Sequence, residues 1–86
     1  MSEIDRKTLE NELRAIVAEI MEVEPEKITL EAKFIEDLGM DSMMALEVLA
    51  SVEKKYKLKI PEDYLMKVTT LAGLIEIAEE FLKKGN

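Results

Sequence analysis

Apolar residues recur at intervals of three and four in three segments of the chain, which is the spacing of one face of an α-helix. The first segment carries its stripe at Leu9, Leu13, Ile16, Val17 and Ile20. We expect this helix to begin between Ser2 and Asp5 and to end before Pro25, because proline is poorly tolerated in a helix interior.

Residues 24–39 join the first helical segment to the second and show no regular period. Their sequence, EPEKITLEAKFIEDLG, has scattered large apolar side chains at Ile28, Leu30, Phe34, Ile35 and Leu38. A loop of this length is uncommon in a compact domain unless it is functional or packed by its own side chains. We therefore expect Phe34 and Leu38 to attach the loop to the core, and Gly39 to provide a turn with positive φ.

The second helix is expected to begin at Asp41 or Ser42 and to end near Tyr56. On a helical wheel its inner side carries Ala45, Leu46, Val48, Leu49, Val52 and Tyr56. Its outer side carries Met43, Met44, Glu47, Ser51 and Lys54. The wheel therefore predicts that the two methionines face the solvent.

The last third of the chain predicts a short helix and a long one. We expect Ile60 to be buried and Pro61 to open a short helical turn. Thr69 or Thr70 is expected to cap the final helix, and Gly85 to end it. The stripe of that helix is Leu71, Leu74, Ile75 and Ala78, with either Phe81 or Leu82.

These segments together predict an all-α fold, because no segment alternates with the period of two that marks a strand. The expected architecture is a small four-helix bundle of three main helices and one short helix, with a long loop between helices 1 and 2. The length of 86 residues suffices for one small domain. We therefore expect residues 1–86 to form a single monomeric domain.

The composition excludes several classes of function. A net charge of −7 argues against nucleic-acid binding through phosphates and favours partners with basic surfaces. The absence of cysteine and histidine excludes a cysteine nucleophile, a thiolate metal site and a Ser-His pair within the chain. No apolar run is long enough to span a membrane, and the charged N-terminal residues are unlike a signal peptide. We expect a cytoplasmic protein that holds no metal.

Ser42 lies between Asp41 and the second helical stripe, and three roles are open to it. Serine is a preferred N-cap residue, so capping alone accounts for its position. A nucleophilic serine would need an adjacent base, and no histidine is present to supply one. The third role is attachment of a phosphate group, which the N-terminus of a helix favours through its unpaired N–H groups and its dipole.

Three blocks of the sequence resemble the acyl carrier proteins. FIEDLGMDSM resembles the family's signature Phe-x-x-Asp-Leu-Gly-x-Asp-Ser-Leu. VEKKYKLKIPED resembles the exit of its second helix, and KVTTLAGLIEIAEEFL resembles the entry to its last helix. Because the blocks also follow the family's order and spacing, the resemblance covers nearly the whole chain.

The resemblance implies a carrier that performs no reaction itself. It implies 4′-phosphopantetheine attached to Ser42 as a phosphodiester, with a terminal thiol that holds acyl intermediates of fatty acid, polyketide or related lipid biosynthesis as thioesters. The implied partners are a phosphopantetheinyl transferase and the acyl-transfer and condensing enzymes of a pathway. The residues expected to shelter the acyl chain are Leu46, Leu49, Ile60, Val68 and Leu71.

Several positions depart from the family's pattern. Met43 replaces the usual leucine after the serine, and Lys54 and Lys55 replace an acidic pair. Met44 and Met66 stand where acids are common. The residues expected to meet the transferase or other partners are Asp37, Asp41, Met43, Met44, Glu47, Glu53 and Met66.

The methionines suit adaptable contact surfaces, so we expect recognition to depend more on Met44 than on Glu53. The alternative is an unmodified helical adaptor. It would bind through the surface formed by Met43, Met44 and Glu47, and it would use Ser42 only as a cap.

Overall fold

The computed structural model describes residues 5–84, apart from the side chains of Leu65, Met66 and Lys84. It contains three α-helices: α1 (Arg6–Met21), α2 (Ser42–Tyr56) and α3 (Leu71–Lys84). Within the described residues the only β-type pairing is an isolated antiparallel bridge between Lys33 and Thr70. The all-α prediction is confirmed.

The expected fourth helix is a 3₁₀ segment, Glu62–Lys67, and the first loop contains a further 3₁₀ turn, Pro25–Lys27. The described chain therefore has three α-helices, and the prediction of four helices is not supported. Within the segment, the Tyr64 N–H donates to the Pro61 carbonyl three residues earlier. That shorter spacing is the hydrogen-bond pattern of 3₁₀ structure, which proteins use in short pieces.

The ends of the helices follow from their capping residues. The Asp5 carboxylate accepts a hydrogen bond from the Lys7 N–H, and α1 begins at the next residue after Asp5. The Thr70 hydroxyl accepts a hydrogen bond of 3.2 Å from the Gly73 N–H. Of the two residues predicted to cap the last helix, Thr69 and Thr70, Thr70 is therefore the one that does so, whereas the expected end at Gly85 lies outside the described residues.

The stripes of the three helices meet in one apolar core, which residues of the long loop complete. Ile28, Phe34 and Met40 are each at most 4% exposed. The loop is thus attached to the core by Phe34, as predicted, and Leu38 packs against it from the edge. No helix within the described part of the chain is long and apolar enough to cross a membrane.

The inner side of α2 differs from the helical wheel at two positions. Met44 is half-buried and packs against the core, whereas Leu46 is 40% exposed. Met44 lies one turn before the buried Val48, so the two side chains share a face. Leu46 lies only two residues before Val48 and therefore points to the other side of the helix.

Polar side-chain contacts join α1 to α2 and to the long loop. The Tyr56 hydroxyl at the end of α2 donates a hydrogen bond of 2.6 Å to the Glu12 carboxylate of α1. Burial, and then this hydrogen bond, raise the pKa of Tyr56. The Arg14 guanidinium donates to the Ile28 carbonyl of the loop at 2.7 Å and to the Glu10 carboxylate at 2.8 Å, and the latter contact lowers the pKa of Glu10.

Candidate functional site

The N-terminus of α2 is capped by Asp41. Its carboxylate accepts a hydrogen bond of 2.9 Å from the Met44 N–H, and its carbonyl accepts another of 2.9 Å from the Ala45 N–H. Its backbone is extended, with φ −107° and ψ 179°. The hypothesis that Ser42 is the N-cap is therefore wrong, because Asp41 fills that position and Ser42 is the first residue of the helix.

Ser42 is exposed, and within the described residues no group hydrogen-bonds to its hydroxyl. It stands in the first turn of α2, where backbone N–H groups have no carbonyl partner within the helix. These groups and the helix dipole favour a negatively charged substituent. The site therefore fits a phosphodiester on the Ser42 oxygen, although the adjacent Asp41 carboxylate carries a charge of the same sign.

The turn before the site is closed by Asp37. Its carboxylate accepts a hydrogen bond of 2.8 Å from the Lys33 N–H, and its own N–H donates to the Lys33 carbonyl at 2.8 Å. Gly39 follows with φ +74°, as the sequence predicts. The carboxylate of Asp37 thus has a partner within the loop that leads to Ser42.

The same loop is fixed to the entry of α3. The Phe34 N–H donates to the Thr69 carbonyl at 2.8 Å, and the Met40 N–H donates to the Phe34 carbonyl at 2.9 Å. Both the Phe34 and Met40 side chains are buried. Since Met40 is two residues before Ser42, these contacts fix the chain immediately upstream of the serine.

The other residues expected to meet partners have different surroundings. Met43 is 71% exposed and Glu47 is exposed, whereas Met44 is half-buried. Glu53 is half-buried, and its carboxylate accepts a hydrogen bond of 2.7 Å from the Ile60 N–H. The side chain of Met66 lies outside what the structure describes.

An apolar cavity of about 30 Å³ lies between α2, α3 and the segment around Ile60. Of the residues expected to shelter an acyl chain, Leu49, Ile60 and Val68 line it. Leu46 does not, because it faces outward, and Leu71 is fully buried in the core beside it. The remaining lining residues are Phe34, Met40, Ala45, Val48, Tyr64, Leu74 and Ile77.

Met40, Tyr64 and Ile77 line the cavity but belong to neither the predicted shelter nor a predicted apolar stripe. Met40 and Tyr64 stand outside the α-helices, where helical periodicity gives no signal, and Ile77 lies in α3 beside the predicted stripe. The position of Met40 directly before the Asp41-Ser42 pair was the only clue, and Tyr64 was hidden in the short helical segment.

Residues 11–78 match the family described as phosphopantetheine attachment site. Polyketide-8 synthase acyl carrier protein 2 of Streptomyces avermitilis is 37% identical over 78 residues, which are 90% of each chain. The acyl carrier protein of Wolinella succinogenes is 32% identical over 69 residues, covering 80% of this chain and 91% of that one. The chain belongs to the acyl carrier protein family.

The fold agrees with this assignment. The NMR structure of the HMG-ACPI domain from the CurA module of Lyngbya majuscula superimposes with a TM-score of 0.81 at 25% identity. The superposition covers 100% of this chain and 87% of that domain. This acyl carrier protein thus bears covalently attached 4′-phosphopantetheine and serves in biosynthesis, in a family whose members are carriers rather than catalysts.

Proposed function

We propose that Ser42 is the residue to which 4′-phosphopantetheine is attached. The observation that carries this proposal is that Asp41 caps α2, which leaves the exposed Ser42 hydroxyl without a structural partner among the described residues. The N-terminus of α2 also favours the phosphate that the attachment introduces. A hydroxyl in this position needs only an external transferase, and no base within this chain.

We further propose that the whole chain acts as one monomeric carrier domain in the cytoplasm and catalyses no reaction. The lack of histidine and cysteine supports this absence of catalysis. The arm presents thioester-bound intermediates of fatty acid or polyketide biosynthesis to acyl-transfer and condensing enzymes. These partners and the transferase approach the exposed surface around Ser42, which includes Asp41, Met43 and Glu47.

The test is an intact-mass measurement after incubation with a phosphopantetheinyl transferase and coenzyme A. The parent chain should gain the mass of one phosphopantetheine, and Ser42→Ala should gain none. Since Asp41 provides the cap, Ser42→Ala should lower the free energy of unfolding by less than the approximately 1 kcal/mol typical of a lost cap.

Ser51→Ala is the matched control, because this half-buried serine lies within the same helix. It should be modified like the parent chain. Modification of Ser42→Ala, or peptide mapping of the new mass to Ser51 or Ser2, would show that Ser42 is not the attachment residue.

A further inference from the structure

The last turn of α2 and the residues directly after it carry four exposed lysines, which we call the lysine patch: Lys54, Lys55, Lys57 and Lys59. The patch holds four of the 12 basic residues of a chain whose net charge is −7. No acidic residue stands between position 54 and Ile60. The patch is therefore a local concentration of positive charge on an acidic protein.

The lysines of the patch have no carboxylate partner among the described residues. Elsewhere, by contrast, Arg6 pairs with Glu79, and Lys33 pairs with Glu36. Lys55 lies over the Tyr56 ring, with its Nζ 5.9 Å from the ring centre. Because the patch forms no ion pair within the described chain, its charges remain available to a partner.

Two carboxylates that contact residues beside the patch are already engaged with other groups. Glu53 accepts a hydrogen bond from the Ile60 N–H, and Glu12 accepts one from the Tyr56 hydroxyl. Glu62 and Asp63 follow as exposed acids beyond Pro61. The patch is thus bounded by acidic residues along the chain, but neither Glu53 nor Glu12 forms a salt bridge with it.

The lysines are held on a well-defined turn. Lys57 adopts the left-handed conformation at φ 57°, and its N–H donates to the Glu53 carbonyl. The Leu58 N–H donates to the same carbonyl at 3.0 Å. The helix dipole stabilises Lys54 and Lys55 in the last turn, but its effect falls off at the helix end and does not account for Lys59.

The patch is far enough from the serine for both ends of α2 to be contacted at once. Lys54 lies twelve positions after Ser42, which at 1.5 Å per residue is about 18 Å along the helix axis. A partner that receives the arm at the first turn of α2 therefore has a second, separate contact point at its last turn.

We propose that the lysine patch docks an acidic surface segment of a partner protein while the arm on Ser42 enters that partner's active site. This inference rests on the proposed function for the simultaneous contact at Ser42. Charge complementarity selects a carboxylate-rich partner, and it accelerates association at low ionic strength. Such an interaction weakens as salt is added, because the charges are exposed.

The experiment measures amide chemical shifts of the ¹⁵N-labelled chain during titration with a blocked polyglutamate peptide at low and at physiological ionic strength. Lys54→Glu/Lys59→Glu reverses two of the four charges, so the net charge of the patch falls from +4 to 0. Lys7→Glu/Lys27→Glu is the matched control, since these lysines are also exposed. Each Lys→Glu change lowers the net charge by two, so both double variants go from −7 to −11.

In the parent chain we expect the changes in chemical shift to concentrate at residues 54–60. They should be at least fivefold smaller in Lys54→Glu/Lys59→Glu. In Lys7→Glu/Lys27→Glu they should stay within twofold of the parent. Salt should reduce them in the parent. A neutral pair, Lys54→Gln/Lys59→Gln, should show an intermediate loss, and it replaces the glutamate pair if that variant does not fold.

Three results would overturn the proposal: no localised shifts, equal losses in both charge-reversed pairs, or stronger localised shifts with phosphatidylglycerol vesicles than with the peptide. Equal losses in both charge-reversed pairs would mean that only the total charge of the protein matters. Stronger shifts with the vesicles would mean that the patch binds an anionic lipid surface. The mass gain of the parent chain with transferase tests attachment at Ser42 separately. A failure of the lysine-patch proposal can therefore be distinguished from a failure of the proposed function.

Discussion

Asp37 and Asp41 stand in the motif that precedes the serine, and each carboxylate accepts a hydrogen bond from a nearby backbone N–H. Asp41 bonds to the Met44 N–H and Asp37 to the Lys33 N–H. Both side chains are also exposed, so contact with a transferase remains open to them. Substitution to asparagine or to alanine distinguishes the backbone hydrogen bond from a charge contact with the transferase. Asparagine keeps an acceptor oxygen but loses the charge, whereas alanine loses both.

Asp37→Ala should destabilise the chain by about 1 kcal/mol through loss of the Lys33 hydrogen bond, and should slow phosphopantetheine transfer severalfold because the loop before Ser42 loosens. Asp37→Asn should retain most of the stability and of the rate. Urea unfolding and single-turnover transfer rates provide the two measurements. Equal slowing in both variants at unchanged stability would indicate a direct charge contact with the transferase instead.

Glu53 illustrates what a single helical pattern cannot predict. The resemblance implied a role in partner recognition, but the chain reverses at Lys57 and brings the Ile60 N–H onto the Glu53 carboxylate. That contact depends on the path of the chain after the helix. The capping residues Asp41 and Thr70, in contrast, act over three residues, and the sequence contains that information locally.

At the scale of the helices, periodicity and capping predicted both ends of α2 and the first residue of α3, whereas α1 begins one residue after the expected range. They predicted a short helical turn after Pro61 but not its 3₁₀ form, and they did not predict the 3₁₀ turn Pro25–Lys27 or the contacts between helices. The hydrogen bond between Tyr56 of α2 and Glu12 of α1 joins residues 44 positions apart. No local pattern in the sequence indicates such a pairing.

Tyr56→Phe should lower the free energy of unfolding by about 1 kcal/mol at neutral pH, because it removes this hydrogen bond. The raised pKa also has a pH consequence. The stability that protonated Tyr56 contributes to the folded state is fully present below the ordinary tyrosine pKa of 10.0. It is lost as the pH rises above that value towards the higher pKa of the folded state.

The measurement is urea unfolding from neutral to strongly alkaline pH. Tyr56→Phe should lose less stability than the parent over the alkaline range. Tyr64→Phe, which changes the second of the two tyrosines, is the control and should keep the parent's alkaline slope. Identical slopes in the parent and Tyr56→Phe would contradict the coupling.

At the scale of the whole molecule, the net charge of −7 acts against compactness, because exposed acids repel one another. Glu36, Asp37 and Asp41 are exposed and lie close along the chain before α2. The sequence gives the net charge, whereas the structure shows that the lysine patch lies at the other end of α2 from these acids. The distribution of charge therefore differs from one end of α2 to the other.

Added salt should raise the thermal midpoint of the free protein, since screening weakens this repulsion. A gain of about 1 kcal/mol corresponds to about 4–8 °C for a domain of this size. Scanning calorimetry in sodium chloride and in magnesium chloride at equal ionic strength provides the comparison. A midpoint that stays constant or falls in both series would contradict a net repulsive charge distribution.

The apolar cavity near Ile60 has a volume of about 30 Å³, which is room for about one water molecule. An acyl chain can enter it only if lining side chains such as Met40 or Tyr64 move aside. Sheltering an acyl chain would therefore disturb the packing of α2 against α3 around Ile60.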